Sequence, residues 1–236
     1  MKFLILMAYY NRPNMVRVGL ESVMAQGDAD YHLAIVDDGS VLPIKSSIDD
    51  YLWDLSDVTI YRTNDTAEDK IAQGGSRFGS FWNKAMRESD ADIALMLCDD
   101  DALMPGYLNR LSEYYKQNPL VDYSYGHVLT YDPSQYVEYH DLKGSYNSML
   151  NNYDGPIDPF CKVDASQVSW RLPIVKEAGA VFPSPQTSAL DASFYSQLYK
   201  KLGPCQFNGL FTQYKGVFAD QLGNRSDFYS VKDSKN

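Results

Sequence analysis

Basic residues, cysteine and histidine are all scarce in this chain, and each shortage excludes a class of function. Lysine and arginine number 21 against 31 aspartates and glutamates, giving a formal net charge of −10 and a pI near 4.7. A general grip on nucleic acid or anionic lipid needs clustered positive charge, so no nucleic-acid partner is expected. Neutral ligands remain, as do anions presented through a bound cation. The three cysteines, Cys98, Cys161 and Cys205, are odd in number and widely spaced. With no C-x-x-C pair they support neither a zinc knuckle nor a disulfide framework, and a reduced, cytoplasmic compartment is expected. His32, His127 and His140 have no metal-ligand spacing, and His32 reads as a structural strand residue. No apolar run approaches the ~18 residues of a membrane span. The opening run of MKFLILMAYYNRP is soon interrupted by Asn11, Arg12 and Pro13 and has no small-residue cleavage site. It reads as a buried first strand, and no membrane insertion is expected. Both G-x-G-x-x-G and the P-loop lysine pattern are also missing.

At ~150 residues per domain, 236 residues imply one domain, or one with an appended smaller lobe. An apolar fraction of 44% with 22% charged residues is ordinary globular composition. Strand-like apolar runs at Lys2 to Ala8, Tyr31 to Val36, Val58 to Tyr61 and Ile93 to Leu97 are separated by helical patterns. Such alternation predicts β-α-β units, an α/β fold with a mainly parallel sheet. Helices are expected near 16–24, 44–55 and 76–88, and from Pro105 to about Gln117. Past Pro119 the texture changes. A Tyr-rich strand is expected over Val121 to Tyr131, then a long polar loop from Tyr136 to Pro159. Order resumes at Lys162 to Trp170, with helices near Pro173 to Ala178 and from Asp191 to Leu202, and the polar tail from Asn224 is expected to fray.

In open α/β sheets ligands bind at the carboxyl ends of the strands. Three polar clusters fall there: Ala8-Tyr9-Tyr10-Asn11-Arg12-Pro13, Val36-Asp37-Asp38-Gly39-Ser40 and Leu97-Cys98-Asp99-Asp100-Asp101. Crowded carboxylates repel unless a cation or donor compensates. Asp99, Asp100 and Asp101 offer the hard oxygens that suit Mg²⁺ or Mn²⁺. The plainer reading is an acidic turn in which Asp100 or Asp101 caps the next helix. Residues 1–118 carry 19 acids against 11 bases, so the acidity lies mainly in the half that holds these clusters.

As an ordered set, Tyr10-Asn11-Arg12-Pro13, Leu20 to Gln26, Val36-Asp37-Asp38-Gly39-Ser40, Arg77 with Asn83-Lys84-Ala85, and Cys98-Asp99-Asp100-Asp101 with Pro105 resemble the nucleotide-sugar-binding half of family 2 glycosyltransferases. A weaker match runs through Val163-Asp164, Trp170-Arg171 and Leu190-Asp191 to Gly203 and resembles their acceptor-side half. The resemblance implies a single GT-A-type domain: residues 1–118 for the donor, 119–223 for the acceptor and 224–236 as a tail. It implies inverting transfer from a nucleoside diphosphate sugar, most readily a UDP-sugar, to a hydroxyl acceptor, expected to be a carbohydrate, with Mn²⁺ or Mg²⁺ as cofactor.

Carried over position by position, the resemblance puts Ala8, Tyr10, Arg12 and Asp38 around the nucleoside and Arg77 near the diphosphate. Asp99 falls at the ribose or the metal shell, Asp100 at the metal with Asp101 beside it, and Asp191 at the general base. Asp164 would approach donor sugar or acceptor, or only stabilise a turn, and Trp170 would line the acceptor wall. Cys98 stands where the common D-x-D-D form has its first acid, and Leu190 where an acid normally precedes the base. Asp220 is a candidate late-chain metal ligand in place of a histidine. Plainer readings accompany two of these: Asp191 as a helix N-cap and Arg77 as a surface helix residue. Two other functional classes stay open. A sugar nucleotidylyltransferase would need a glycine-rich loop after the first strand, which Tyr9 to Pro13 lacks, and a non-catalytic binding relative is kept open by Leu190.

Overall fold

The computed structural model describes residues 1–48, 55, 57–131, 146–150, 153–185 and 190–216. Its organising element is β1 (Lys2–Tyr9), whose uninterrupted apolar run is explained by burial on both faces. Leu4 and Leu6 point into one core layer, and Phe3, Ile5 and Met7 into the other. On its two sides lie β2 (Asp30–Asp37) and β4 (Ile93–Cys98), both parallel to it, with β3 (Val58–Arg62) parallel beyond β2. One face is covered by α1 (Pro13–Met24) and α5 (Tyr107–Gln117) through Val16, Leu20, Val23, Leu108 and Leu111. The opposite face receives α4 (Phe78–Glu88), α6 (Leu172–Ala178) and α7 (Leu190–Leu202) through Trp82, Met86, Val175, Phe194 and Leu198. Two short helices, α2 (Ile44–Ser47) and α3 (Ala67–Ala72), follow β2 and β3. The cap of α3 is reciprocal: Thr66 Oγ1 accepts from the Asp69 amide, and the Asp69 carboxylate accepts from the Thr66 amide.

The sheet continues past β4, and there it stops being parallel. Its order is β3-β2-β1-β4-β8-β6-β9-β5, where β5 is Asp101–Leu103, β6 Tyr123–Tyr131, β8 Val168–Arg171 and β9 Gln206–Gly216. β8 is antiparallel to β4 and to β6, β9 is parallel to β6, and β5 closes against β9 antiparallel. The α/β class of sheet flanked by helices is as expected, but the parallel character is confined to the first half.

Four elements differ from the sequence expectation: α3 and β5 form where neither was expected, and so do two later strands. Within the stretch read as one loop from Tyr136 to Pro159, Tyr146–Leu150 forms β7, antiparallel to β6; residues 132–145 and 151–152 lie outside the described residues. β9 was not signalled, because Gln206–Gly216 carries two glycines and no clean alternation. It forms because β5 and β6 both present open ladders to it. Of the helix expected over 44–55, Ile44–Ser47 is helical, and most of the remainder, like the tail from Asn224, lies outside the described residues. No helix among the described residues is long and apolar enough to cross a membrane.

Candidate active site

Parallel strands that end at one edge bring their following residues together, and the three polar clusters meet there. Asp38, directly after β2, is buried and accepts three hydrogen bonds. Ser76 Oγ (2.6 Å) and Thr63 Oγ1 (3.2 Å) donate to its Oδ1, and Lys70 Nζ (2.8 Å) donates to its Oδ2. Lys70 also lies 4.2 Å from the centroid of the exposed Tyr10 ring, a cation–π contact. The turn after Asp38 requires Gly39: its φ is +74°, and a Cβ there would lie 2.4 Å from the Asp65 carbonyl oxygen. Asp37, by contrast, is consumed by the fold. Its carboxylate accepts the Ser40 and Ile44 amides at 2.9 and 3.0 Å and pairs with Arg62.

The end of β1 leads to Ala8, which sits in register between Val36 and Cys98 and so holds the two acidic clusters one strand apart on either side. Arg12 Nη1 reaches both Asp99 and Asp100 at 3.3 Å, and the Tyr10 amide donates to Asp99 at 3.2 Å. Burial, reinforced by the neighbouring Asp100, pushes the Asp99 carboxyl above the usual range against the pull of Arg12. Arg77 precedes α4 and points to a carboxylate: Nε donates to Asp65 at 3.0 Å and Nη2 closes a second bond. Those bonds, with one from Gln73, hold Asp65 below its ordinary pKa. Half of the Arg77 side chain stays exposed, so a face of the guanidinium is presented to solvent.

Asp101 opens β5 and is fully buried. Ser166 Oγ and Gln213 Nε2 donate to its Oδ2 at 2.7 and 3.1 Å. Gln213 donates its other N–H to Asp164 at 3.0 Å, and Lys215 pairs with Asp164 at 2.6 Å and with Asp101 at 3.8 Å. β9 therefore sends an amide and an ammonium, two residues apart and on one face, into an acidic pocket. Burial opposes the Lys215 charge, but Asp101 and Asp164 outweigh it and raise its pKa above the ordinary lysine value. Asp164 is also the cap of a short 3₁₀ turn, Ala165–Gln167, with its Oδ1 accepting the Ser166 amide. The turn-stabilising reading of Asp164 is therefore realised, while its other oxygen faces Lys215. Asp191, in the first turn of α7, is raised in pKa by burial and by Asp164, against the Ala192 amide and Lys215. It thus lies within electrostatic reach of the same pocket.

A hard divalent cation fits this donor set. Potential ligand atoms of Cys98, Asp100 and Asp101 lie within 4.8 Å of one another. Asp101 Oδ1 is buried and has no hydrogen-bond partner among the described residues, as an oxygen reserved for a cation would be. The candidate ligand Asp220 lies outside the described residues.

One expectation is corrected. Trp170 does not line an acceptor wall: it is 0% exposed on β8, with Phe194 and Phe182 ring centroids at 5.1 and 6.3 Å. Its position on a strand buried under helices, with Tyr123 opposite it on β6, makes it core. Trp170→Ala is expected to cost about 3–5 kcal/mol of stability, measured by urea unfolding, through the cavity it opens. Three residues with no motif to announce them, Lys70, Gln213 and Lys215, are brought to the site by tertiary contacts. Their only sequence signal is that clustered acids require neutralising partners.

A mixed sheet with acids gathered on the ends of its parallel strands defines a GT-A-type α/β enzyme domain. A family model described as Glycosyl transferase family 2 matches residues 4–166, and the chain belongs to that family, whose members are glycosyltransferases. A search of curated proteins by sequence finds no match. Among solved structures, S. aureus TarS is similar at TM-score 0.65 and 17% identity over 98% of this chain and 38% of that one. TarS residues 1–349 in complex with UDP give TM-score 0.63 at 17% identity, covering 98% of this chain and 63% of that one. The complex of the same fragment with UDP-GlcNAc gives TM-score 0.67 at 16% identity, covering 98% and 64%. The likeness is one of fold, and this chain spans less than two thirds of each of those longer chains.

Proposed function

We propose that this protein transfers a sugar, with inversion, from a nucleoside diphosphate sugar, UDP-linked in the first instance, to a carbohydrate hydroxyl. The observation that carries the reading is the convergence of Asp38, Asp99 and Asp100 at the strand ends with a partly buried Asp191 beside the same pocket. The solved complexes of TarS with UDP and UDP-GlcNAc favour a UDP-sugar.

In this reading Tyr10 presents its exposed ring to the base, and Asp38, already oriented by Ser76, Thr63 and Lys70, has capacity for one more donor such as an imide N–H. Arg12 and Ala8 border the nucleoside, and Asp99, fixed by the Tyr10 amide, meets the ribose. Arg77 turns the exposed side of its guanidinium to the diphosphate. Asp100 and Asp101 would hold Mn²⁺ or Mg²⁺, which would supply positive charge to a departing diphosphate. Asp191 takes the proton of the attacking hydroxyl, and its raised pKa makes it a stronger base than an exposed aspartate. Asp164, held by Lys215 and Gln213 and within electrostatic reach of Asp191, borders the space for the transferred sugar or acceptor.

Calorimetry with UDP, GDP, dTDP and CDP in the presence of Mn²⁺ tests the donor. UDP is expected to bind most tightly, and both Asp38→Ala and Asp100→Ala are expected to weaken it. Equal binding of all four, or Mn²⁺-independent binding that survives Asp100→Ala, overturns the reading.

A further inference from the structure

The position where the common acidic motif has its first carboxylate is filled by Cys98, and its thiol is not idle in the geometry. We propose that Cys98 Sγ is a direct ligand of the cation site, together with Asp100 and Asp101. That makes the site a mixed sulfur–oxygen centre with a preference for thiophilic divalent ions. The inference rests on the cation-assisted reading above and deepens it, because an all-oxygen site would follow Mg²⁺ and Mn²⁺ chemistry alone.

The side chains are placed for this by one serine. Ser166 Oγ accepts the Cys98 amide at 3.0 Å and donates to Asp101 Oδ2 at 2.7 Å, tying the end of β4 to the start of β5. The outcome is a fixed triad, with one ligand atom from each of Cys98, Asp100 and Asp101 within 4.8 Å of the others. The second, independent observation is the orphaned oxygen. Asp101 is 0% exposed, and among the described residues its Oδ1 has no hydrogen-bond donor, although Oδ2 has two. The nearest cation among the described residues, Lys215 Nζ, stands 3.8 Å away and is held by Asp164 at 2.6 Å. A buried carboxyl oxygen stripped of water with no donor is costly, and a coordinated ion removes that cost. On coordination the thiol proton passes to solvent, and sulfur, softer than the carboxylates, sets the order of preference among ions. The other two cysteines stand elsewhere: Cys161 is exposed, and Cys205 lies in the core with Trp170 and Tyr123.

Co²⁺ titration of the full chain provides the spectroscopic test. The wild type is expected to develop a near-ultraviolet thiolate-to-Co²⁺ charge-transfer band that persists in Cys161→Ser and Cys205→Ala and disappears in Cys98→Ser and Cys98→Ala. Calorimetry should show Cd²⁺ affinity falling roughly tenfold or more in Cys98→Ser, at least the loss typical of a removed supporting contact, with a smaller change for Mn²⁺. Absence of the band from Co²⁺-loaded wild type, or a parallel fall for Cd²⁺ and Mn²⁺, overturns the sulfur ligand. If Cys98 variants do not fold, the wild-type band and its survival in the other two variants still decide the matter. The two levels separate cleanly. Mn²⁺-dependent UDP binding that requires Asp100 but comes without a Co²⁺ band sinks only the sulfur ligand, whereas no divalent binding at all sinks the cation-assisted reading with it.

Discussion

Asp191→Asn is expected to lower kcat by about 10²- to 10⁴-fold while leaving the Kd for the donor nucleotide essentially unchanged, since a general base acts in the chemical step. The substitution is nearly isosteric, and an amide keeps most of the capacity to accept from the Ala192 amide at the start of α7. Loss of turnover with retained binding therefore reports the proton acceptor. If Asp191 served only as a cap, Asn would be a good replacement and kcat would hold. The pH profile gives a second check. Burial and Asp164 raise the Asp191 pKa, so its base form is lost on acidification earlier than for an exposed aspartate. The acidic limb of kcat/KM should accordingly lie above the ordinary aspartate pKa of about 3.9. A profile flat down to that pKa would assign the proton to another group.

Lys215→Met is expected to lower stability by about 3–5 kcal/mol in denaturant unfolding, as does removal of one partner from other buried ion pairs. The ammonium is the near partner of Asp164 at 2.6 Å and, among the described residues, the only cation paired with the fully buried Asp101, at 3.8 Å. Methionine fills most of the volume, so the loss is electrostatic rather than a packing defect. The sign with pH follows from the raised pKa. The stabilisation is fully present below the ordinary lysine pKa of about 10.4 and is lost only as pH rises through the higher folded value. Lys215→Arg, which keeps the charge, should restore part of the stability. A Lys215→Met variant as stable as wild type would mean that Asp101 and Asp164 are neutral or solvated in the folded chain.

These two residues also mark what was and was not legible. Asp191 stood out because it opens an amphipathic helix at the position the resembled family uses for its base. Lys215 did not. It lies in QFNGLFTQYKG, which has no strand-like alternation, and its importance comes from Asp101 and Asp164, residues 114 and 51 positions earlier in the chain. Trp170 shows the opposite error. An aromatic residue next to a recognisable motif suggested a sugar-binding wall, yet the packing of α7 and the chain around Phe182 over β8 encloses it. Asp37 and Asp38 are adjacent and chemically identical, and only the structure separates them. Asp37 faces the Ser40 turn and the start of α2, while Asp38 faces Lys70 and Ser76 across the cleft. Side-chain alternation at the end of a strand turns neighbours to opposite sides, and which side holds the cleft depends on what packs there.

By itself the sequence determined the parallel half of the sheet, because strands buried on both faces need unbroken apolar runs and their polar ends then fall on one edge. It determined the acidic character of that edge and, through the ordered motifs, the family. Only the tertiary structure decided which acids are neutralised and by what: Asp37 by Arg62, Asp65 by Arg77, and Asp164 by Lys215. It alone decided that Asp101 keeps, among the described residues, a buried oxygen without a donor beside Cys98. Local patterns encode periodicity and burial, whereas charge compensation in a pocket is settled by residues from β9, a strand whose place is fixed by its pairing with β5 and β6.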